Sequence, residues 1–134
     1  MEKEFIPYEQ ALALKELGFD EPCMAQYSDK ALCQHSYGKV VQKNLFSYNC
    51  ITPLYQQAFR WFREKYSLLN HLTTHLNPYG EDGALEESYG YRIMFNKDGW
   101  KCDVWEELIF DSYGEAELAC LAKLIEIAKG KLTA

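Results

Sequence analysis

Between Thr52 and Tyr66 the apolar side chains fall into two adjoining rows at helical spacing, Leu54, Ala58 and Trp61 in one and Tyr55, Phe59, Phe62 and Tyr66 in the other. Rows that recur every three or four residues line one side of an α-helix, so this segment has a broad aromatic stripe to bury against another layer. Thr52 stands where a side-chain cap is expected, and Pro53, with its fixed φ and missing donor, suits the first helical position. Arg60, Arg63 and Lys65 lie largely off the stripe and belong in water.

The layer that receives such a stripe is legible farther along. Tyr89, Tyr91, Ile93 and Phe95 alternate with smaller or polar residues, Asn96-Lys97-Asp98-Gly99 turns the chain, and Trp100 to Trp105 returns. A period of two puts the large side chains on one face of a β-hairpin. Leu68 to His75 admits either a continued helix or a strand, and the paired Thr73 and Thr74 favour the strand because β-branched side chains suit a pleated surface. Cys23 to Tyr27 reads as a short strand after Pro22. From Ser28 to Cys50 there is no clean period; Leu32 to His35 and Lys39 to Val41 are expected to pair across Tyr37-Gly38.

Two more helices complete the pattern. The first is expected from Pro7 to Gly18, where glycine permits a left-handed residue and brings Phe19 back toward Leu14, with Leu12, Leu14 and Leu17 as its face. The last opens on a capping box, Ser112 with Glu115, and carries Leu118, Leu121, Ala122, Ile125 and Ala128 as its apolar face until Gly130 stops it. On that reading Ala122→Asp costs several kcal/mol by stranding a carboxylate away from water, whereas a change at Glu126 is nearly silent. The order of elements lacks regular βαβ alternation. The expected fold is α+β: three helices on one face of a mainly antiparallel sheet, two layers in a single domain spanning 1–134.

Composition bounds the function classes. With 48% hydrophobic and 25% charged residues among 134, the chain is of ordinary globular type. Its start lacks the cationic and apolar character of a secretory signal, and no run reaches the ~18 apolar residues of a membrane span, so a cytoplasmic protein without membrane partners is expected. Five cysteines without paired spacing suit reduced thiols. The net charge of −6 argues against wholesale binding of nucleic acid. It is unevenly spread, however: residues 30–65 hold six Lys and Arg against Glu64 alone.

The candidate sites follow from these patterns. His71 and His75 have the spacing of a helical zinc pair, but Leu72 occupies the place of the general base. Cys23, Cys33, His35 and Cys50 are zinc-type ligands whose gaps match no compact module, so buried thiols are the simpler reading. A Cys33–His35 pair could serve a hydrolase only if the two groups met with a third to orient them. Glu86-Glu87 and Glu106-Glu107 point to opposite faces when extended and make poor acid–base pairs. No metal, cofactor or catalytic residue is therefore expected. The candidate binding surface is the basic-aromatic tract of Lys39, Lys43, Phe46, Tyr48, Arg60 and Arg63, where rings could stack bases and cations follow phosphates, or meet an acidic protein or a second copy of the acidic carboxyl-terminal half. Tyr55, Phe59 and Phe62 nearby are at core spacing.

Three segments carry a family resemblance: Phe5 to Cys23 (FIPYEQALALKELGFDEPC), Pro53 to Tyr66 (PLYQQAFRWFREKY) and Ser112 to Glu126 (SYGEAELACLAKLIE). Together they resemble small proteins of bacterial phages, prophages and mobile elements that carry no assigned activity. Gly114 departs from that pattern, where a better helix former is expected. The resemblance implies an accessory protein of phage type and brings no catalytic residue. Taken with the candidate surface, the expected mode of action is binding, to another protein or to a second copy of the chain.

Overall fold

The computed structural model describes residues 4–35, 38–46, 49–77, 86–95 and 105–133. In chain order the elements are α1 (Tyr8–Glu16), β1 (Ala25–Ser28), β2 (Ala31–Gln34), a 3-10 turn (Gln42–Asn44), β3 (Cys50–Thr52), α2 (Tyr55–Tyr66), β4 (Leu68–Asn77), β5 (Glu86–Phe95), β6 (Trp105–Phe110) and α3 (Tyr113–Thr133). The fold is α+β and its sheets are antiparallel. The strands form two three-stranded sheets, ordered β2-β1-β3 and β4-β5-β6, in place of the single layer expected. The chain divides into two compact units, 1–58 with 125–134, and 59–124.

In the first unit α1 begins one residue later than its proline suggests. Pro7 is the N-cap, with ψ of 158°, because its extended conformation leaves the helix while its carbonyl accepts from Ala11 at 2.9 Å. The C-terminus is a full Schellman motif. Gly18, at φ 94°, donates to Lys15 at 3.0 Å, and Phe19 donates to Leu14 at 2.9 Å. Leu14, Leu17 and Phe19 are buried, and Leu12 is half-buried. The helix lies against β3, and the Tyr8 and Tyr27 rings meet edge-on at 5.4 Å.

The small sheet is built on a turn that the sequence disguises. β1 and β2 pair with Ser28 opposite Ala31, so the loop is only Asp29-Lys30, both left-handed at φ 53° and 65°. Two consecutive positive φ values make a type I′ turn, which normally selects Asn-Gly. The expected pairing of Leu32–His35 with Lys39–Val41 is therefore replaced. β2 pairs with β1, and Val40 instead forms an isolated bridge with Cys23. Thr52 also has another role than capping: it lies in β3, fully buried, and α2 starts at Tyr55 with the Leu54 carbonyl accepting from Ala58 at 3.1 Å.

In the second unit β4 is a strand, as its threonines suggest, paired along its whole length with β5. β5 pairs in turn with β6, with a register shift between Tyr89 and Tyr91. The return strand is Trp105–Phe110; the expected turn at 96–99 and the segment 100–104 lie outside the described residues. Ile93, Tyr91 and Leu68 are buried. Tyr91 stacks with Phe110 at 6.0 Å, and Tyr89 meets Tyr113 at the start of α3 edge-on at 6.3 Å. From α2, Trp61 and Phe62 are buried and their rings meet at 5.1 Å.

The capping box of α3 is half conventional. Ser112 Oγ accepts from Glu115 N–H at 3.2 Å, while Glu115 Oε2 reaches past the cap to Asp111 N–H at 3.2 Å. The buried stripe is Ala116, Cys120, Leu121, Leu124, Ile125 and Ala128. Ala122 is exposed and Leu118 half-buried, so the stripe is rotated from the one expected and a carboxylate at position 122 stays in water. Gly130 does not end the helix, which runs on to Thr133; stopping at a glycine needs a left-handed residue, and Gly130 has ordinary helical φ.

Candidate functional site

The residues of the basic-aromatic tract fall in both compact units. Lys39, Lys43 and Phe46 belong to the first unit, where both lysines are exposed and Phe46 is 69% exposed. Arg60 and Arg63 are exposed on the part of α2 assigned to the second unit. Tyr48 lies outside the described residues. Tyr55, Phe59 and Phe62 are buried, so three rings of the tract are packing and not stacking platforms for bases.

The metal candidates are separated by geometry. His71 and His75 share a face of β4 and are both exposed, but four residues of strand at ~3.3 Å each set them ~13 Å apart with parallel side-chain directions. That is a poor pincer for one ion. Cys33 pairs with Gln26, and Cys50 with Tyr27, on either side of β1. Since adjacent residues of β1 face opposite ways, the two thiols lie on opposite faces of the sheet. Cys33 is exposed, with its thiol donating to the Ala31 carbonyl at 3.7 Å and not to His35.

The buried thiols have the electrostatics of packing groups. Burial, reinforced by the Glu21 carboxylate and Cys50 and opposed by Lys39, pushes the Cys23 thiol up to about 12. Burial, with Glu117 beside it, does the same to Cys120, also to about 12. Burial raises Cys50 as well, against the opposing charge of Lys15. A nucleophilic cysteine needs the opposite shift, toward a thiolate at neutral pH.

What sets one part of the molecule apart is the treatment of its strand edges. An edge strand presents a row of unpaired main-chain donors and acceptors, and proteins blunt such rows with short strands, charges, bulges or covering groups. β2 is four residues long. The free side of β3 is covered by a side chain: Gln42 Oε1 accepts from Ile51 N–H at 3.0 Å while its Nε2 donates to the Asn49 carbonyl at 2.9 Å. The amide thus takes the place of a neighbouring strand. β6 carries the adjacent Glu106 and Glu107 and the register shift against β5.

β4 has none of these devices. It is ten residues long, LLNHLTTHLN, without Lys, Arg, Asp, Glu, Pro or Gly, and it ends its sheet. Among the described residues no main-chain hydrogen bond joins it to anything but β5. His71, Thr74, His75 and Leu76 are exposed, Leu76 at 58%. The composition was a signal available in the sequence: no formal charge occurs from Tyr66 to Gly80 in a chain that is 25% charged. No protein-family model, curated protein or solved structure matches this chain.

Proposed function

We propose that this is a non-enzymatic accessory protein, of the phage type that its three segments resemble, that works by accepting an extended strand of another polypeptide along β4. The observation that carries this reading is the ten-residue uncharged edge of β4 in a protein whose other sheet edges are short, covered or charged. Main-chain hydrogen bonds give such an interface its affinity, and side chains alternating above and below give it selectivity. Leu72, Thr74 and Leu76 on one face and His71, Thr73 and His75 on the other are the groups a partner strand would meet. An uncharged strand favours an uncharged partner segment, since a charge opposite Leu or Thr loses water without gaining a counter-ion.

The test is selection of binding peptides from a random display library, followed by amide exchange of the protein with and without the best peptide. Protection gathered on alternate amides of β4 is the expected result. Selected peptides that protect other elements, or a library that yields no binder to a monomeric form of the protein, would remove the reading.

A further inference from the structure

We infer that the strand accepted by β4 is the β4 of a second copy, related by a two-fold axis normal to the sheet; this rests on the strand-addition reading above. Antiparallel pairing about such an axis puts residues of the same face opposite each other, so only registers that join even positions to even positions, and odd to odd, are allowed. With Leu72 on the axis, Leu72 meets its own counterpart, Leu68 meets Leu76, and Asn70 meets Thr74. On the other face His71 meets Thr73 and Leu69 meets His75.

Several features of the chain favour this occupant. Each cross-strand pair on the first face is apolar with apolar or polar with polar, which are the combinations that stabilise a ladder. The exposed Leu76 gains Leu68 as its neighbour, and Leu68 belongs to the buried face shared with Ile93 and Tyr91. The pairing also closes. Joining two copies at β4 gives a six-stranded sheet whose ends are both β6, the strand with the glutamate pair and the register shift. An isologous contact that uses up the one unblunted edge among the described residues yields a dimer and no further growth. The charge distribution agrees: a chain of net charge −6 approaches its own copy most readily through the stretch from 66 to 80, which carries none.

The test is light scattering of the full chain over a concentration series, with charges placed on the pair that meets. The wild type is expected to reach twice its 15.6 kDa. The double variant Asn70→Glu with Thr74→Glu sets like charges opposite each other on both sides of the axis and is expected to stay monomeric, as is Asn70→Lys with Thr74→Lys. An equimolar mixture of the two doubles is expected to recover the dimer, a result that general destabilisation cannot produce. Concentration-dependent protection of the wild-type β4 amides provides a reading that needs no variant. A wild type that stays monomeric at every concentration, or a dimer indifferent to both double variants, would overturn the self-pairing. If the wild type is monomeric while selected peptides still protect β4, the self-pairing alone fails; if neither occurs, strand addition fails with it.

Discussion

The hydroxyl of Thr52 donates to the main-chain carbonyl of Ile6 across 2.6 Å, joining residues 46 apart in the chain. The same carbonyl accepts from the Tyr27 hydroxyl at 3.0 Å, and Ile6 N–H donates to Pro53 at 3.0 Å. Ile6 and Thr52 are both fully buried. Three bonds therefore fix the segment that leads into α1 against β3 and β1.

Because an acceptor out of reach of water is costly to leave unpaired, removing either hydroxyl alone should be milder than removing both. Thr52→Val and Tyr27→Phe are each expected to lower stability by about 1 kcal/mol, and the double variant by more than their sum. Urea unfolding of the four proteins measures this. Strict additivity would mean that the two hydroxyls do not share the carbonyl.

The α3 stripe gives a contrast between neighbours. Leu124 is fully buried, so Leu124→Ala is expected to cost about 2–5 kcal/mol. Ala122 is exposed, and Ala122→Asp is expected to cost less than about 1 kcal/mol, chiefly through helix propensity. Thermal melts of the two variants compare them directly; equal losses would contradict the observed face.

The turn at Asp29-Lys30 pays for two left-handed residues that lack the freedom of glycine. Lys30→Gly is expected to raise stability by about 0.5–1 kcal/mol, since φ of 65° costs glycine little. A loss of stability by urea titration would show that the lysine side chain contributes more than its backbone strain.

The thiols set an alkaline limit. Cys23 and Cys120 titrate near 12 when folded, against an ordinary value of 9.0, because burial disfavours the thiolate. A raised folded value means that the stabilisation is complete below 9.0 and fades as pH climbs toward 12. Urea midpoints are therefore expected to hold steady below that window and fall within it, with Cys23→Ala and Cys120→Ala each reducing the fall. In a Cys102→Ser background, Cys33 is expected to react with a thiol reagent well before Cys23, Cys50 and Cys120, as the exposed member of the set. Uniform reactivity under native conditions would contradict the burial.

Elements whose information is local were legible. The glycine cap of α1, the stripe of α2, the alternation of β5 and the threonines of β4 each act within a few residues, and each is found where the sequence puts it. Errors arose where tertiary bonding outranked local preference. Thr52 and Pro53 have the chemistry of a helix start, yet Thr52 is worth more as a buried donor to Ile6. The Asp29-Lys30 turn lacks the glycine that signals a type I′ loop, so the β1–β2 hairpin was hidden. Ala122 is small enough to suit either side of α3, and only packing decides. Of the candidate site residues, Lys39, Lys43, Phe46, Arg60 and Arg63 are exposed. The β4 edge was missed because a run of leucines, histidines and threonines reads as interior until the sheet order leaves it at the margin.

The most direct measurement is residue-resolved amide exchange of β4 in a protein held monomeric by Asn70→Glu with Thr74→Glu. In a ten-residue edge strand bonded on one side only, amides alternate between those aimed at β5 and those aimed outward. An open edge predicts slow and fast exchange in strict alternation from Asn70 to Leu76, with the fast set becoming slow in wild-type protein as concentration rises. Uniformly slow exchange along β4 in the monomer would mean that the edge is already covered, and no strand could be added there.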